Sequence, residues 1–318
     1  MYDVVALGEL LIDFTDCGKS NAGLRLFEQN PGGAPANVLC ALSNLGIKTA
    51  FIGKVGKDMH GDFLTGVLND KMVCTKGLIA DPAVFTTLAF VALSLEGERS
   101  FSFARKPGAD TCLRPDELNM QILQNTNVFH FGSLTLTDEP ARSATYKAIE
   151  VAKQAGAIIS YDPNYRAPLW ESSQAATEQM RGVLKYVDII KISDEETTLL
   201  TGKEAPEEAS EALIALGISC TVVTLGKDGA LVRTREGAAT VKAPECNVVD
   251  TTGAGDAFWG GFLYKLLKDG VAPACLSLEK AKEYARFANM VAGLCVQRRG
   301  AIPAMPTEGE VLAEWGVV

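Results

Sequence analysis

Asp250-Thr251-Thr252-Gly253-Ala254-Gly255-Asp256 is the stretch whose residue types and spacing can do chemistry. Two glycines and an alanine stand before the apolar run Ala257, Phe258, Trp259, with a carboxylate on either side of them. The spacing of Phe258, Phe262, Leu263, Leu266 and Leu267 predicts a helix from Gly255 to Leu267, so its first turn coincides with the small residues. A helix N-terminus carries unpaired N–H groups and the positive end of the macrodipole, and backbone that meets an anion there needs residues without bulk. Gly253, Ala254 and Gly255 satisfy that need. Asp256 falls where a carboxylate would take the proton of an attacking hydroxyl, as phosphoryl transfer requires. It would equally serve as an acidic first-turn residue that stabilises the helix.

Other candidates sit where strand-like segments end, the place α/β folds reserve for ligand groups. Tyr2 to Leu7 reads as a buried strand, and the segment that follows closes on Asp13, either a sugar-hydroxyl acceptor or an ordinary strand-terminating carboxylate. Gly32 and Gly33 precede a predicted helix that has proline in its first turn and Gly46 after its last periodic position. Asn37, one turn in, has donors and an acceptor for a polyol, or a local hydrogen bond of its own. Gly18-Lys19-Ser20 suggests a P-loop, but the first glycine of that motif would fall on Asp13, so the reading is discarded. Asp162-Pro163-Asn164-Tyr165-Arg166 follows another strand and carries a fixed positive charge, and Ser193 with Glu196 has the form of a capping box. Gly226 and Gly229 bound a tight turn after a β-branched strand.

The elements that must hold these groups alternate strand and helix, which predicts an α/β fold with a mostly parallel sheet and helices on both faces. One stretch departs from the alternation. Residues 86–104 read as a hairpin with a Glu96-Gly97-Glu98 turn and Phe101 and Phe103 two apart, a flap paired with residues 10–29 that closes over a ligand. Arg105 just beyond it is either a ligand contact or a surface residue. The 318 residues suit one doubly wound domain, and 47% hydrophobic against 22% charged residues supply a large core. A net charge of −9 argues against a general nucleic-acid binder. The eight cysteines show no zinc-ligand spacing and read as reduced thiols, and no run reaches a membrane span, so a cytoplasmic protein is expected, with no membrane partner.

Taken together, the Gly32-to-Asn37 and Asp250-to-Asp256 stretches resemble the two signatures of the ribokinase or PfkB-type carbohydrate kinases, over nearly the full length and in the right order. Gly8 to Asp13, Arg105 to Asp110 and Asp162 to Arg166 look most like bacterial fructokinases. The resemblance implies one ribokinase-like doubly wound domain over residues 1–318, with a small β-sheet lid from about 10–30 and 85–106. It implies ATP-dependent phosphorylation of a sugar's primary hydroxyl, with Asp256 as base and the backbone of Gly253, Ala254 and Gly255 as anion hole. Sugar contacts are implied for Asp13, Gly32, Gly33, Asn37, Arg105 and Arg166. Nucleotide or phosphate contacts are implied for Asn164, Arg166, Lys191, Ser193, Thr224, Gly226, Gly229 and Gly255. Glu196 would act through water on Mg²⁺. Asp250 and Thr252, with backbone near Cys295, Arg298 and Gly300, resemble the family's site for a monovalent cation, K⁺. The family often has Asn where Ser193 stands, and the shorter Ser reaches less far.

Fructose is the expected substrate, with 2-keto-3-deoxygluconate or a riboside as rivals that differ in lid and pocket contacts. A catalytically silent binder has no need of Asp256, and an oxidoreductase lacks its GxGxxG after the first strand. A homodimer is expected, because flap strands have edges to cover and the Phe101 and Phe103 side is apolar.

Overall fold

Successive residues of the first strand face opposite cores. In β1 (Tyr2–Leu7), Val4 and Ala6 join one apolar cluster while Val5 and Leu7 join the other. A strand buried on both faces belongs inside a helix-covered sheet. The computed structural model, which describes residues 1–93 and 99–315, places it there.

The remaining strands are β2 (Leu11–Lys19), β3 (Arg25–Gly32), β4 (Thr49–Gly56), β5 (Cys74–Asp81), β6 (Leu88–Leu93), β7 (Arg99–Ala104), β8 (Thr126–Phe131), β9 (Ile158–Tyr161), β10 (Ile189–Ser193), β11 (Cys220–Thr224), β12 (Ala230–Thr234) and β13 (Gly237–Val241). The helices are α1 (Ala34–Asn44), α2 (Met59–Asp70), α3 (Met120–Leu123), α4 (Ala141–Gln154), α5 (Ser173–Gly182), α6 (Thr197–Thr201), α7 (Pro206–Ala215), α8 (Ala254–Asp269), α9 (Leu278–Cys295) and α10 (Glu308–Trp315). Among the described residues the main sheet has nine strands in the order β13-β12-β11-β10-β9-β8-β1-β4-β5. It is parallel from β11 to β5, and β12 and β13 are added antiparallel. Residues of α1, α8 and α9 belong to the core on one face, and those of α4, α5 and α7 to the core on the other.

A second sheet runs β3-β2-β6-β7, with β2 and β6 parallel and the outer pairs antiparallel. The hairpin expected over 86–104 supplies β6 and β7, and β6 pairs with β2 within the expected residues 10–29. The Glu96-Gly97-Glu98 turn and the side chain of Phe101 lie outside the described residues. Sequence periodicity gave no sign of β5, β13 or α7. β5 and β13 are the two edges of the main sheet, where a strand is covered less completely and its pattern carries less apolar signal. Among the described residues no helix is long and apolar enough to cross a membrane.

Candidate active site

β1 lies between β8 and β4, and the chain winds outward from it in both directions. Such a reversal opens a crevice beyond the carboxyl ends of the strands. Glu9, Asp162 to Arg166, Ser193 to Glu196 and the Thr224-to-Gly229 turn all follow strand ends there, and two helices begin at the same edge. Gly253 precedes α8 in the left-handed conformation at φ 77°, and a Cβ on it would come 2.8 Å from Ala301 Cβ. Gly33 precedes α1 at φ 121°, with the Glu9 carbonyl in the space a side chain would take. Both glycines are therefore required by their backbone conformation and by the protein atoms that fill the space a side chain would take.

Asp256 is buried in the first turn of α8. Asn37 Nδ2 donates to its Oδ2 at 2.7 Å, and Asn164 Nδ2 reaches Oδ1 at 3.5 Å. Asn164 takes φ 46°, an unusual conformation for a residue with a side chain. Burial pushes the Asp256 carboxyl up to about 6, against the pull of Lys191, the Asn37 hydrogen bond and Arg166. Such a group is mostly ionised at neutral pH yet basic enough to accept a proton. The helix-stabilising role also left open by the sequence does not account for the two amides that hold it.

Lys191, in the middle of β10, is buried and donates to Asp162 Oδ2 at 2.5 Å. Its Nζ would lie 3.1 Å from a Cβ on Gly255, which puts the ammonium over the start of α8. Although burial opposes the charged form, Asp162, Asp256 and Glu196 together hold the Lys191 pKa above its ordinary value. Glu196 accepts from Tyr165 N at 2.7 Å and Ser193 N at 2.8 Å, bridging the loops after β9 and β10. The capping reading of that motif is thus met on the glutamate side.

On the lid, burial raises the Asp13 carboxyl to about 6, opposed by Arg166, and a Cβ on Gly32 would fall onto that carboxylate. Arg166 is exposed and donates to Tyr165 O at 2.9 Å. Arg105 corrects one expectation, since its guanidinium is not turned outward. It bonds Asp110 Oδ2 and Leu134 O at 2.8 Å each and Thr137 Oγ1 at 3.0 Å, bracing the base of the lid. Thr224 Oγ1 donates to Ile192 O at 3.3 Å, and Gly226 and Gly229 turn with positive φ. Asp250 gathers the expected cation loops. Its Oδ1 accepts from Thr252 N and Oγ1 at 3.0 and 2.7 Å, and its Oδ2 from Gly300 N at 3.0 Å. Cys295 is buried close by and its carbonyl accepts from Arg298 N, while the Arg298 side chain pairs with Glu310.

Sequence reasoning passed over three buried acids. Asp162 pairs with Lys191, and Asp110 pairs with Arg105. Glu9 Oε1 accepts from Ala34 N at 2.8 Å, its other oxygen is buried without a hydrogen bond, and burial raises its carboxyl to about 7. An acid inside the apolar run around Glu9 was the available signal; nothing local marked the other two.

The sequence pattern of the "pfkB family carbohydrate kinase" matches residues 1–308. The chain is 45% identical to probable fructokinase-4 of Arabidopsis thaliana over 97% of this chain and 95% of that protein. A solved fructokinase from Xylella fastidiosa with bound ATP superposes with a TM-score of 0.90, at 33% identity and 98% coverage of both chains. A double mutant of the Vibrio cholerae O395 fructokinase, in its fructose-, ADP- and potassium-bound form, gives a TM-score of 0.86, with 33% identity and 98% coverage of both chains.

Proposed function

The chain belongs to the pfkB family and is a carbohydrate kinase, and from that premise we propose that it transfers the γ-phosphoryl group of ATP to fructose, giving fructose 6-phosphate. One observation carries the reading. A buried carboxylate, Asp256, is clamped by two amides in the first turn of a helix whose N-terminus also receives the Lys191 ammonium.

Fructose would lie beneath the lid among Asp13, Gly32, Gly33 and Asn37, with Arg105 supporting the wall through Asp110. The buried Oδ1 of Asn37, which has no hydrogen bond, would accept from a sugar hydroxyl. The primary hydroxyl donates to Asp256 as it attacks, a role that typically contributes about 10²- to 10⁴-fold. Charge building on the phosphoryl oxygens meets the N–H groups of Gly253, Ala254 and Gly255 together with Lys191 and Arg166. Asn164, Ser193, Thr224, Gly226 and Gly229 would line the nucleotide. Among the described residues no three His, Cys, Asp or Glu side chains are grouped to hold a metal. That fits Mg²⁺ carried on nucleotide phosphates with its own waters, beside Glu196. Bound there, Mg²⁺ would neutralise phosphate charge; K⁺ would sit at the loops of Asp250, Thr252, Cys295, Arg298 and Gly300, behind the anion hole.

The protein is proposed to act as a homodimer in the cytoplasm, a setting that suits eight unpaired thiols. The substrate is tested by measuring ADP release with ATP, Mg²⁺ and K⁺ across fructose, ribose, 2-keto-3-deoxygluconate and nucleosides. Fructose should give the highest kcat/KM by about tenfold or more. A higher value for any other sugar overturns the substrate.

A further inference from the structure

Ile190 pairs with Tyr161 in the parallel register of β10 and β9, so the next residue along each strand brings Lys191 beside Asp162. The two are 5% and 1% exposed. Asp162 is 29 residues distant in sequence and nothing above gives it a role. Three carboxylates act on the buried Lys191 ammonium: Asp162, Asp256 and Glu196. Glu196 is satisfied by two backbone N–H groups. The other two compete. Only Asp162 holds Nζ by a hydrogen bond, and its second oxygen, Oδ1, is buried with no hydrogen-bond partner. His130, which feels the charge of both members of the pair, is kept neutral by burial, which lowers its pKa to about 4. It therefore supplies no second cation.

An ammonium free to choose in a dry site would close on the base and neutralise it, because opposite charges there attract far more strongly than in water. Building on the kinase reading, we propose that Asp162 is a positioning residue for phosphoryl transfer: it tethers Lys191 over the N-terminus of α8 and keeps that cation off Asp256. Base and cation then serve opposite partners, the attacking hydroxyl and the transferred phosphoryl group. Gly255 is part of the device, since the ammonium stands where its side chain would be.

The test compares wild type with Asp162→Asn, Asp162→Glu, Lys191→Met and the Asp162→Asn/Lys191→Met double variant, reading kcat and the sugar KM separately. Asp162→Asn should lower kcat about tenfold or more with the sugar KM within about twofold, and Asp162→Glu should recover most of that loss. In the Lys191→Met background the second substitution should cost less than about twofold, because the tether has nothing left to hold. Unchanged kcat in Asp162→Asn overturns the proposal, as does a Glu variant no better than the Asn variant. If Asp162→Asn does not fold, the charge-neutral double variant decides. Activity equal to Lys191→Met supports the tether, and a further loss of about tenfold contradicts it. An inactive wild type would instead defeat the kinase reading on which the proposal rests.

Discussion

Asp256 and Asp13 are both pushed up to about 6 by burial, and Glu9 to about 7. A carboxyl whose pKa is raised on folding binds its proton more tightly in the native than in the unfolded chain. Its stabilising share is therefore present below the unfolded value near 4 and is lost as pH rises through 6. At neutral pH the ionised base works against the fold, held there by Lys191 and the two amides. Asp256→Asn removes that charge and keeps an oxygen to accept from Asn37. The variant should be about 1–2 kcal/mol more stable than wild type at pH 8, with the gain fading towards pH 4. Urea denaturation at both pH values measures this, and an Asn variant less stable than wild type at pH 8 contradicts it. The same pKa places the acid limb of kcat/KM near pH 6, where the base becomes protonated.

At the scale of elements, α8 positions the base because α1 and α9 pack tightly against it. A Cβ on Gly260 would come 2.7 Å from Ala41 Cβ in α1, and one on Gly261 would come 3.0 Å from the backbone of Ala288 in α9. Gly261→Val must push the helices apart, and should cost about 1–3 kcal/mol, seen as a melting temperature lower by several degrees. An unchanged melting temperature would mean that the contact yields freely. Long elements such as α8 and α9 were legible in the sequence, α9 because burial on one face writes a period into it and α8 through its long apolar run. So were the glycine signatures, whose backbone conformations few other residues adopt. The edge strands β5 and β13 left no such period. The Lys191–Asp162 pair was beyond reach for another reason: it comes from the register between two strands, which neither segment encodes alone. Arg105, expected at a ligand or on the surface, is buried against Asp110, so the surface alternative falls.

At the scale of the molecule, the small sheet carries exposed apolar side chains. Phe27 and Phe90 are each 37% exposed and meet edge to face, while Phe90 stacks on Phe14 with ring centroids 5.2 Å apart. Leu24 and Leu26 add apolar surface beside them, 68% and 44% exposed. An apolar face on a small sheet with free edges favours a second copy as its cover. Sedimentation at micromolar concentration should show a dimer, and Leu26→Lys should shift it towards monomer; a monomeric wild type contradicts this arrangement.

The account as a whole depends on Asp256 taking the proton. Its most direct test is ADP release with fructose, ATP, Mg²⁺ and K⁺, run side by side on wild type and Asp256→Asn, with fructose binding measured separately. Steady turnover in wild type and a loss of about 10²- to 10⁴-fold in the variant, with fructose affinity kept within a few-fold, is the predicted result. Comparable turnover in the two proteins would show that the proton leaves by another route, and the central assignment would be wrong.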